Sequence, residues 1–292
     1  MIKKIGIVAN IDKEKSLELT LRLKKWAEKK GVDVYLEEKI AGRLGEAEGL
    51  DRKALAGVVD LLVVLGGDGT MLRTARAVRE MDVPIVGINL GGFGYLTEVN
   101  VNEMDEALEM IMAGRYETEK RMMLDIAISR NDGGQSRERT VLNDVVINRG
   151  NLSRIVELET FVDGHYLATF KADGLILSTP TGSTAYSLSA GGPIVFPQQD
   201  SIIINPICPH TLTNRPIILP ENAQVKIVLW TKEMGATVNM DGQASFILAS
   251  GDTVVVKKSR YITTLVTSPH RDYMEILRTK LRWGGFPTGS GQ

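Results

Sequence analysis

The chain has 292 residues, of which 43% are hydrophobic and 24% charged, a balance that allows one large globular domain or two smaller ones. Lys and Arg number 35 and Asp and Glu 36, so the formal net charge of −1 gives no reason to expect nucleic acid or a membrane as a partner. Cys208 is the only cysteine, the three histidines are far apart, and no apolar stretch is long enough for a signal peptide or a membrane span. We therefore expect a cytoplasmic protein without metal-ligating residues of its own.

The first part of the chain alternates apolar strands with amphipathic helices. The uninterrupted apolar run at residues 61–65 is typical of a central parallel strand that is covered on both faces. This alternation predicts an open, mostly parallel α/β domain over residues 1–120, with right-handed crossovers. The predicted strands lie at 5–9, 32–36, 61–65 and 84–88, and the predicted helices at 17–30 and 71–79.

After about residue 120, short apolar segments follow one another without long helices. Asp163-Gly164 lies between two of them and Asp241-Gly242 follows another, and Asp-Gly favours a tight hairpin because glycine accepts the positive φ of the turn. We predict a β-rich domain over residues 121–269, then a helical segment at 270–284 that packs back onto the first domain, and a disordered tail at 285–292. The predicted strands lie at 124–128, 140–147, 155–162, 166–170, 225–230, 236–240, 253–256 and 262–266.

A glycine-rich loop, Gly66-Gly67-Asp68-Gly69-Thr70, follows the most apolar predicted strand and precedes a predicted helix. Ligands of open α/β sheets bind at this end of a parallel strand. The glycines allow the backbone to turn sharply and approach a ligand, and the first amides of the helix can bind phosphate oxygens. Arg73, one helical turn later, can reach the same anion.

The carboxylate of Asp68 is unexpected in such a loop because it repels phosphate. It suits a group that accepts a hydrogen bond or a proton from a hydroxyl, or one that holds a metal ion. The alternative is a purely structural role, in which Asp68 is the N-cap of the following helix.

A second glycine-rich loop, at residues 87–96, follows the next predicted strand, and its Phe93 can lie against a planar ring or simply be buried. Neither loop is a Walker A motif, since no Gly-Lys-Ser/Thr follows, and neither is a regular Rossmann fingerprint. A P-loop kinase and a standard dehydrogenase are therefore disfavoured.

Two polar pairs stand out in the β-rich part. Asn143 and Asp144 are neighbours on a predicted strand, so both can reach one ligand only if the strand bends or ends there; otherwise they form a turn or a solvated pair. Lys171 and Asp173, two residues apart, can form an ion pair on one strand face, or they can bind a phosphate and an amide.

The segment at residues 179–193 is dense in small hydroxyl residues and glycine, with Tyr186 as its one aromatic residue. Such a segment can surround a flat polar ligand with hydrogen bonds. A surface loop is the alternative, although the apolar residues on both sides of the segment favour burial.

In combination these motifs resemble the NAD kinase family along essentially the whole chain. The glycine-rich loop alone is also similar to loops in diacylglycerol kinases, sphingosine kinases and phosphofructokinases. The specific features are Asn143-Asp144, Asp173-Gly174 and the segment at 181–193, in that order. The resemblance implies an α/β domain, a C-terminal β-rich domain and a dinucleotide that binds between them.

The resemblance also implies roles for individual residues. Asp68 is the expected proton acceptor for the 2′-hydroxyl of the adenosine ribose. One difference from the family is Asn143-Asp144, where Asn-Glu is usual, so the carboxylate is one methylene shorter. The expected contacts are Gly69 and Arg73 with the phosphates; Asn143, Asp144, Thr184 and Ala185 with adenosine; Asp173, Tyr186 and Ser189 with the nicotinamide half; and Phe93, Arg154, Lys171, Thr181, Ser187, Leu188 and Gln243 at further binding positions.

The implied activity is phosphorylation of NAD to NADP. ATP or polyphosphate is the donor, a divalent ion such as Mg²⁺ accompanies the triphosphate, and the enzyme is a homodimer or homotetramer. The sequence leaves NAD and NADH open as substrates. The alternatives are a diacylglycerol-type lipid kinase, for which no amphipathic basic helix is found, a phosphofructokinase-like sugar kinase, and a dinucleotide sensor without catalytic activity.

Overall fold

The computed structural model describes residues 2–91, 94–134, 137–150, 155–232, 235–268 and 270–284. Its contacts divide the chain into two compact units. The α/β unit comprises Met1–Glu119 and Thr264–Gln292, and the β-rich unit comprises Lys120–Thr263. The domain boundaries predicted from the sequence, after residues 120 and 269, stay a prediction for the folding domains.

The α/β unit begins with strands and helices that alternate along the chain. Helix α1 buries Leu19, Leu23 and Ala27, four residues apart, so that one face packs on the sheet. It ends at Gly31, whose positive φ of 67° forms the left-handed cap. The elements are β1 (Lys4–Ala9), α1 (Glu14–Lys30), β2 (Asp33–Leu36), α2 (Glu38–Leu44), α3 (Arg52–Val58), β3 (Leu61–Gly66), α4 (Asp68–Val78), β4 (Ile85–Asn89), β5 (Val99–Asn100) and α5 (Met104–Met112).

The sheet of this unit is parallel, with the strand order β2-β1-β3-β4. Every residue of β3 is buried, as the apolar run predicts for a central strand. Because Gly66 of β3 lies opposite Asn89 of β4, the carboxyl ends of these two strands are level with each other. The predicted parallel α/β fold is confirmed.

Helix α4 begins at Asp68, three residues before the predicted start. The carbonyl oxygen of Gly67 accepts hydrogen bonds from the amides of Thr70 and Met71, at 2.8 and 3.2 Å, so the glycine-rich loop itself forms the first turn. The predicted start lies too far along the sequence because the apolar pattern of the helix begins only at Met71.

The β-rich unit consists of two antiparallel sheets that share one core. Val145 and Leu175 of one sheet and Leu158 and Ile227 of the other belong to the same buried cluster. The elements are β6 (Thr118–Ser129), β7 (Arg137–Val141), β8 (Asp144–Asn148), β9 (Val156–Val162), β10 (His165–Ala172), β11 (Gly174–Ser178), α6 (Tyr186–Ser189), β12 (Ser201–Ile207), β13 (Ile217–Pro220), β14 (Val225–Trp230), β15 (Ala236–Met240), β16 (Ala244–Leu248) and β17 (Thr253–Val266).

One sheet contains β10-β9-β14-β17 and the other has the order β13-β12-β11-β8-β15-β16. Both predicted Asp-Gly hairpins are present, between β9 and β10 and between β15 and β16. Asp163 and Asp241 have positive φ values of 51° and 50°, and the glycines that follow them are also positive, as tight hairpin turns require. The predicted β-rich fold of the second part is confirmed.

Three strand predictions in this unit were wrong in extent, and one of them, at 124–128, covers only part of β6. Residues 140–147 are not one strand, because β7 ends at Val141 and β8 begins at Asp144. Residues 253–266, predicted as two strands, form the single strand β17, since its polar residues lie on an exposed face and do not interrupt the hydrogen bonding.

Residues 264–284 belong to the α/β unit and contain the last helix, α7 (Tyr273–Leu281). The Asp272 side chain caps this helix by accepting a hydrogen bond from the amide of Glu275 at 2.7 Å. The tail at 285–292, predicted to be disordered, lies outside the described residues. Among the helices of the described residues, none is long and apolar enough to cross a membrane.

Candidate active site

The turn after β3 places Asp68 at the carboxyl end of the sheet. A Cβ atom at Gly66 would lie 2.6 Å from the Thr70 hydroxyl, so the turn can close this tightly only with glycine. Gly67 is extended and faces open space, and Gly69 is exposed. The loop therefore leaves room for a ligand beside Asp68.

The Asp68 carboxylate accepts four hydrogen bonds from the segment at residues 94–97. Its Oδ2 accepts one from the amide of Tyr95 at 2.9 Å. Its Oδ1 accepts three, from the amides of Leu96 and Thr97 and from the Thr97 hydroxyl, at 3.1, 3.2 and 3.2 Å. The alternative that Asp68 is the N-cap of α4 is wrong, because Gly67 holds that position and Asp68 binds a different loop.

Gly94 makes this arrangement possible. A Cβ atom at this position would lie 2.0 Å from Asp68 Oδ1 and 2.2 Å from the Thr97 hydroxyl. The neighbouring Tyr95 has a raised pKa because it is partly buried and because the negative charge of Asp68 disfavours a phenolate. The segment thus supplies backbone donors to Asp68 and adds no second negative charge.

Arg73 is exposed on α4, and its guanidinium lies 3.4 Å from the Thr70 hydroxyl. Phe93, predicted to lie against a planar ring, is outside the described residues. Arg154, predicted as a binding residue, is outside them as well.

The β-rich unit contains a pocket of about 410 Å³. Of the predicted binding residues, Asn143, Asp144, Ala185 and Tyr186 line it. The other lining residues, which the sequence did not single out for binding, are Val146, Asn148, Asn239, Asp241 and Gly242.

The interruption between β7 and β8 explains how Asn143 and Asp144 reach the same pocket. The Asp241 carboxylate accepts hydrogen bonds from the amides of Leu142, Asn143 and Asp144, at 3.2, 2.8 and 3.2 Å. The strand therefore ends and restarts around this carboxylate, which is the condition under which neighbouring residues can serve one ligand.

Several carboxyl and amide side chains line the pocket. Asp144 is buried, and this burial together with the negative charge of Asp241 raises its pKa to about 7. The side-chain oxygen Oδ1 of Asn143 is buried and has no hydrogen-bond partner among the described residues. An unpaired buried oxygen is costly, so a ligand with a donor group would satisfy it.

The segment after β11 packs against the same interruption. The Thr179 hydroxyl donates to the carbonyl oxygen of Leu142 at 2.6 Å, and its amide donates to that of Asn143 at 2.9 Å. A Cβ atom at Gly182 would lie 2.2 Å from the Asn143 carbonyl oxygen. This close approach brings Ala185 and Tyr186 to the pocket.

The remaining predicted residues of this segment differ in their accessibility. Thr181 and Ser187 are buried, and the Ser187 hydroxyl and carbonyl accept hydrogen bonds from Asn205. Thr184 and Leu188 are half-buried and Ser189 is exposed. Asn205 thus holds Ser187 in place, and the predicted contact of Ser187 with the substrate stays a prediction.

Lys171 and Asp173 do not pair with each other. β10 ends at Ala172, between them, so they do not share one strand face. Lys171 pairs with Glu157 at 3.0 Å and Asp173 with Arg149 at 2.9 Å. Gln243 lies half-buried in the turn between β15 and β16, where its backbone amide donates to the carbonyl of Met240 at 3.0 Å.

Two family models cover most of the chain. The model of the ATP-NAD kinase N-terminal domain matches residues 5–116, and that of the C-terminal domain matches residues 142–268. The chain belongs to the ATP-NAD kinase family. The predicted family and the predicted enzyme class, an NAD kinase, are confirmed, and the lipid-kinase and sugar-kinase alternatives lose their support.

Relatives from bacteria match almost the full length. The NAD kinase of Citrifermentans bemidjiense is 46% identical over 287 residues, and that of Geotalea daltonii is 47% identical over 283; each match covers 97% of this chain and 99% of the relative. Among solved structures, yeast NADH kinase complexed with NADH has a TM-score of 0.88 at 26% identity, covering 99% of this chain and 90% of that one. An NAD kinase from Archaeoglobus fulgidus in complex with ATP has a TM-score of 0.76 at 24% identity, covering 97% and 100%, and supports the fold.

Sequence reasoning missed Asp241 as a site residue because the Asp-Gly pair was fully accounted for by a hairpin. A carboxylate at positive φ in a turn is ordinary, and only its three amide partners, 97 to 99 residues away, show its second role. Asn239 gave no signal beyond being a polar residue in a predicted strand, and Asn148 directly follows another predicted strand. The roles predicted for the individual site residues stay predictions.

Proposed function

We propose that the enzyme transfers the terminal phosphoryl group of ATP to the 2′-hydroxyl of the adenosine ribose of NAD, giving NADP and ADP. The observation that carries the proposal is the Asp68 carboxylate, which lies in a glycine-rich turn suited to phosphate and is held by four donors. Relatives named NAD kinase, at about 46% identity, support NAD as the acceptor, and the description of the family supports ATP as the donor.

The proposed phosphoryl transfer requires only one proton acceptor from the protein, besides groups that position the reactants. The 2′-oxygen attacks the γ-phosphorus, the bond from that phosphorus to the β,γ-bridging oxygen breaks, and the hydroxyl proton passes to Asp68. In phosphoryl transfer the protein mostly positions the reactants and offsets negative charge. A divalent ion enters with the triphosphate as part of the donor, and Gly69 and Arg73 lie beside the phosphates.

The pocket of the β-rich unit is proposed to bind adenosine. Its amide and carboxyl groups suit the hydroxyl and amino groups of a nucleoside, and the unpaired Oδ1 of Asn143 requires a donor. Thr184 and Ala185 are also proposed to contact adenosine. Asp173, Tyr186 and Ser189 are assigned to the nicotinamide half, and Phe93, Arg154, Lys171, Thr181, Leu188 and Gln243 to further contacts.

Replacing Asp68 by Asn tests the proposal. The amide keeps the shape but cannot accept a proton, so we expect kcat to fall about 10²- to 10⁴-fold while the Kd for NAD changes little. NADP formation from NAD and ATP measures the first quantity and calorimetry the second. Full activity of Asp68→Asn would contradict the role of proton acceptor.

Asp60→Asn is the matched control. Asp60 lies immediately before β3, and its carboxylate also accepts two backbone hydrogen bonds, from Lys3 and Lys4 at 2.7 and 2.9 Å. We expect this variant to keep its kcat.

The same assay addresses the remaining candidates. NAD binding without any NADP formed would contradict the proposed reaction. Parallel reactions with NADH, and with polyphosphate as donor, determine the preferred substrates. We also propose that the enzyme is cytoplasmic and forms a homodimer or homotetramer. Light scattering on the purified protein measures the oligomeric state.

A further inference from the structure

A buried chain of hydrogen bonds leads from the end of β4 to Asp68. Asn89 is the last residue of β4, is 5% exposed, and donates from its Nδ2 to the Thr97 hydroxyl at 2.7 Å. Thr97 is fully buried, and its hydroxyl lies 3.2 Å from Asp68 Oδ1. These contacts link the ends of two neighbouring parallel strands, because Asn89 lies opposite Gly66.

The donor and acceptor atoms of Asn89 fix the direction of these hydrogen bonds. The side-chain oxygen of Asn89 accepts a hydrogen bond from the amide of Gly91 at 2.8 Å, so the nitrogen of Asn89 faces Thr97. An amide nitrogen only donates, so the Thr97 hydroxyl accepts from Asn89 and has its single proton left for another partner. That proton points to Asp68 Oδ1.

The two oxygens of Asp68 are therefore unequal. Oδ1 accepts three hydrogen bonds, although a carboxylate oxygen has about two lone pairs. Oδ2 accepts one, from the amide of Tyr95. When the donors among the described residues are counted, Oδ2 is the Asp68 oxygen that has a lone pair left to receive a proton.

We infer that Thr97 and Asn89 are positioning residues, which hold the Asp68 carboxylate so that Oδ2 is the oxygen that accepts the substrate proton. This inference rests on the proposed role of Asp68. Without the Thr97 hydroxyl, the amides of Leu96 and Thr97 still donate to Oδ1, but three hydrogen bonds hold the carboxylate where four did. The carboxylate then rotates more easily about its Cβ–Cγ bond. Alignment of the acceptor with the incoming hydroxyl then becomes less frequent.

Thr97→Val removes the hydroxyl and keeps the shape and the backbone amide. We expect kcat to fall about 10- to 100-fold, as for a lost hydrogen bond to a charged group or a misplaced catalytic group, while KM for NAD stays within about twofold. Thr97→Ser, which retains the hydroxyl, is expected to restore most of kcat. If Thr97→Val does not fold, Thr97→Ala serves the same comparison.

Thr20→Val is the matched control for a merely structural effect. Thr20 is also fully buried in the α/β unit, and its hydroxyl donates to the carbonyl of Ser16 at 2.7 Å, on helix α1. It is expected to lower the thermal midpoint to a similar extent as Thr97→Val and to leave kcat unchanged.

The double variant separates this inference from the proposed function. If Thr97 acts through Asp68, Thr97→Val causes no further loss of kcat in the Asp68→Asn background, where residual turnover is followed over long incubations. An equal further loss there, or a Thr97→Val variant no slower than Thr20→Val, would overturn the positioning role. The role of Asp68 is judged by Asp68→Asn alone, so the two failures are distinguishable.

Discussion

Asp68 and Asp144 are carboxylates whose partners could not be read from neighbouring residues. Asp68 accepts hydrogen bonds from a loop 27 to 29 residues away, and Asp144 lies buried beside Asp241, 97 residues away. Burial and repulsion favour the neutral form of Asp144. Asp68 differs in that four donors hold its side chain in one orientation. The two acidic residues therefore differ in their surroundings, although each takes its partners from distant parts of the sequence.

The raised pKa of Asp144 makes stability depend on pH. Between its ordinary pKa of 3.8 and its folded pKa of about 7, the folded protein keeps a proton that the unfolded chain has released. Stability therefore falls as the pH rises through this window and is constant, as far as Asp144 is concerned, on either side. One pKa unit corresponds to about 1.4 kcal/mol, so the loss is at most about 4 kcal/mol.

Asp144→Asn removes this titration. We expect the free energy of unfolding of the variant, relative to the natural protein, to increase between pH 4.5 and pH 8, as measured by urea unfolding. The exposed Asp33, replaced by Asn, controls for the loss of one negative charge. A difference between variant and natural protein that does not change with pH would contradict the prediction.

At the level of elements, the turn between β15 and β16 fixes the interruption between β7 and β8. Asp241 provides the connection by accepting three hydrogen bonds from consecutive amides. The same turn also contributes Asp241 and Gly242 to the pocket. The hairpin thus shapes the site as well as reversing the chain.

Asp241→Ala is expected to destabilise the protein by about 3 kcal/mol or more, because hydrogen bonds to charged groups contribute about 1.5–3 kcal/mol each. Three amides lose their acceptor, two of them in buried and one in a partly buried hydrogen bond. Part of this loss is offset because Asp144 is relieved of a neighbouring charge. Urea unfolding at neutral pH measures the change, and the affinity for NAD is expected to fall with it.

Asp163→Ala is the control for this comparison. Asp163 is in an Asp-Gly turn with a similar φ of 51°, so alanine carries the same backbone strain at both positions. Among the described residues, its carboxylate accepts one hydrogen bond, from the amide of Gln224 at 2.8 Å at an exposed site. Equal destabilisation by the two variants would show that strain, and not the lost contacts, dominates.

At the scale of the whole molecule, the chain forms two units with separate cores. The cluster around Leu158 and Leu175 lies entirely within Lys120–Thr263. The α/β unit uses both ends of the chain, since Val266 belongs to its core and Arg271 pairs with Glu103. The β-rich unit is therefore a continuous segment, and the α/β unit is not.

A fragment of residues 120–263 is expected to fold by itself and to unfold cooperatively on heating, because it contains its whole core. Circular dichroism in the near and far ultraviolet provides the measurement. The same fragment with Leu175→Asp, which places a charge in the core, is the control and should show no transition. A gradual transition in the unaltered fragment would contradict the prediction and the proposed domain division.

The sequence by itself determined the fold class and the family. The apolar run of β3, the alternation of strands and helices and the Asp-Gly turns are local patterns, and local backbone preferences are enough to interpret them. The short helices α2 and α3, of seven residues each, gave no clear pattern, because so few residues show little periodicity. The motifs at Asp68, Asn143 and residues 181–193 identified the family without any structure.

Only the tertiary structure decided which groups touch. The donors to Asp68, the chain from Asn89 through Thr97, and the three amides bound by Asp241 all join residues distant in sequence. Such pairs follow from strand register and packing, which no local pattern encodes. The sequence thus named Asp68 as the centre of the site, and the structure showed that a neighbouring loop orients its carboxylate.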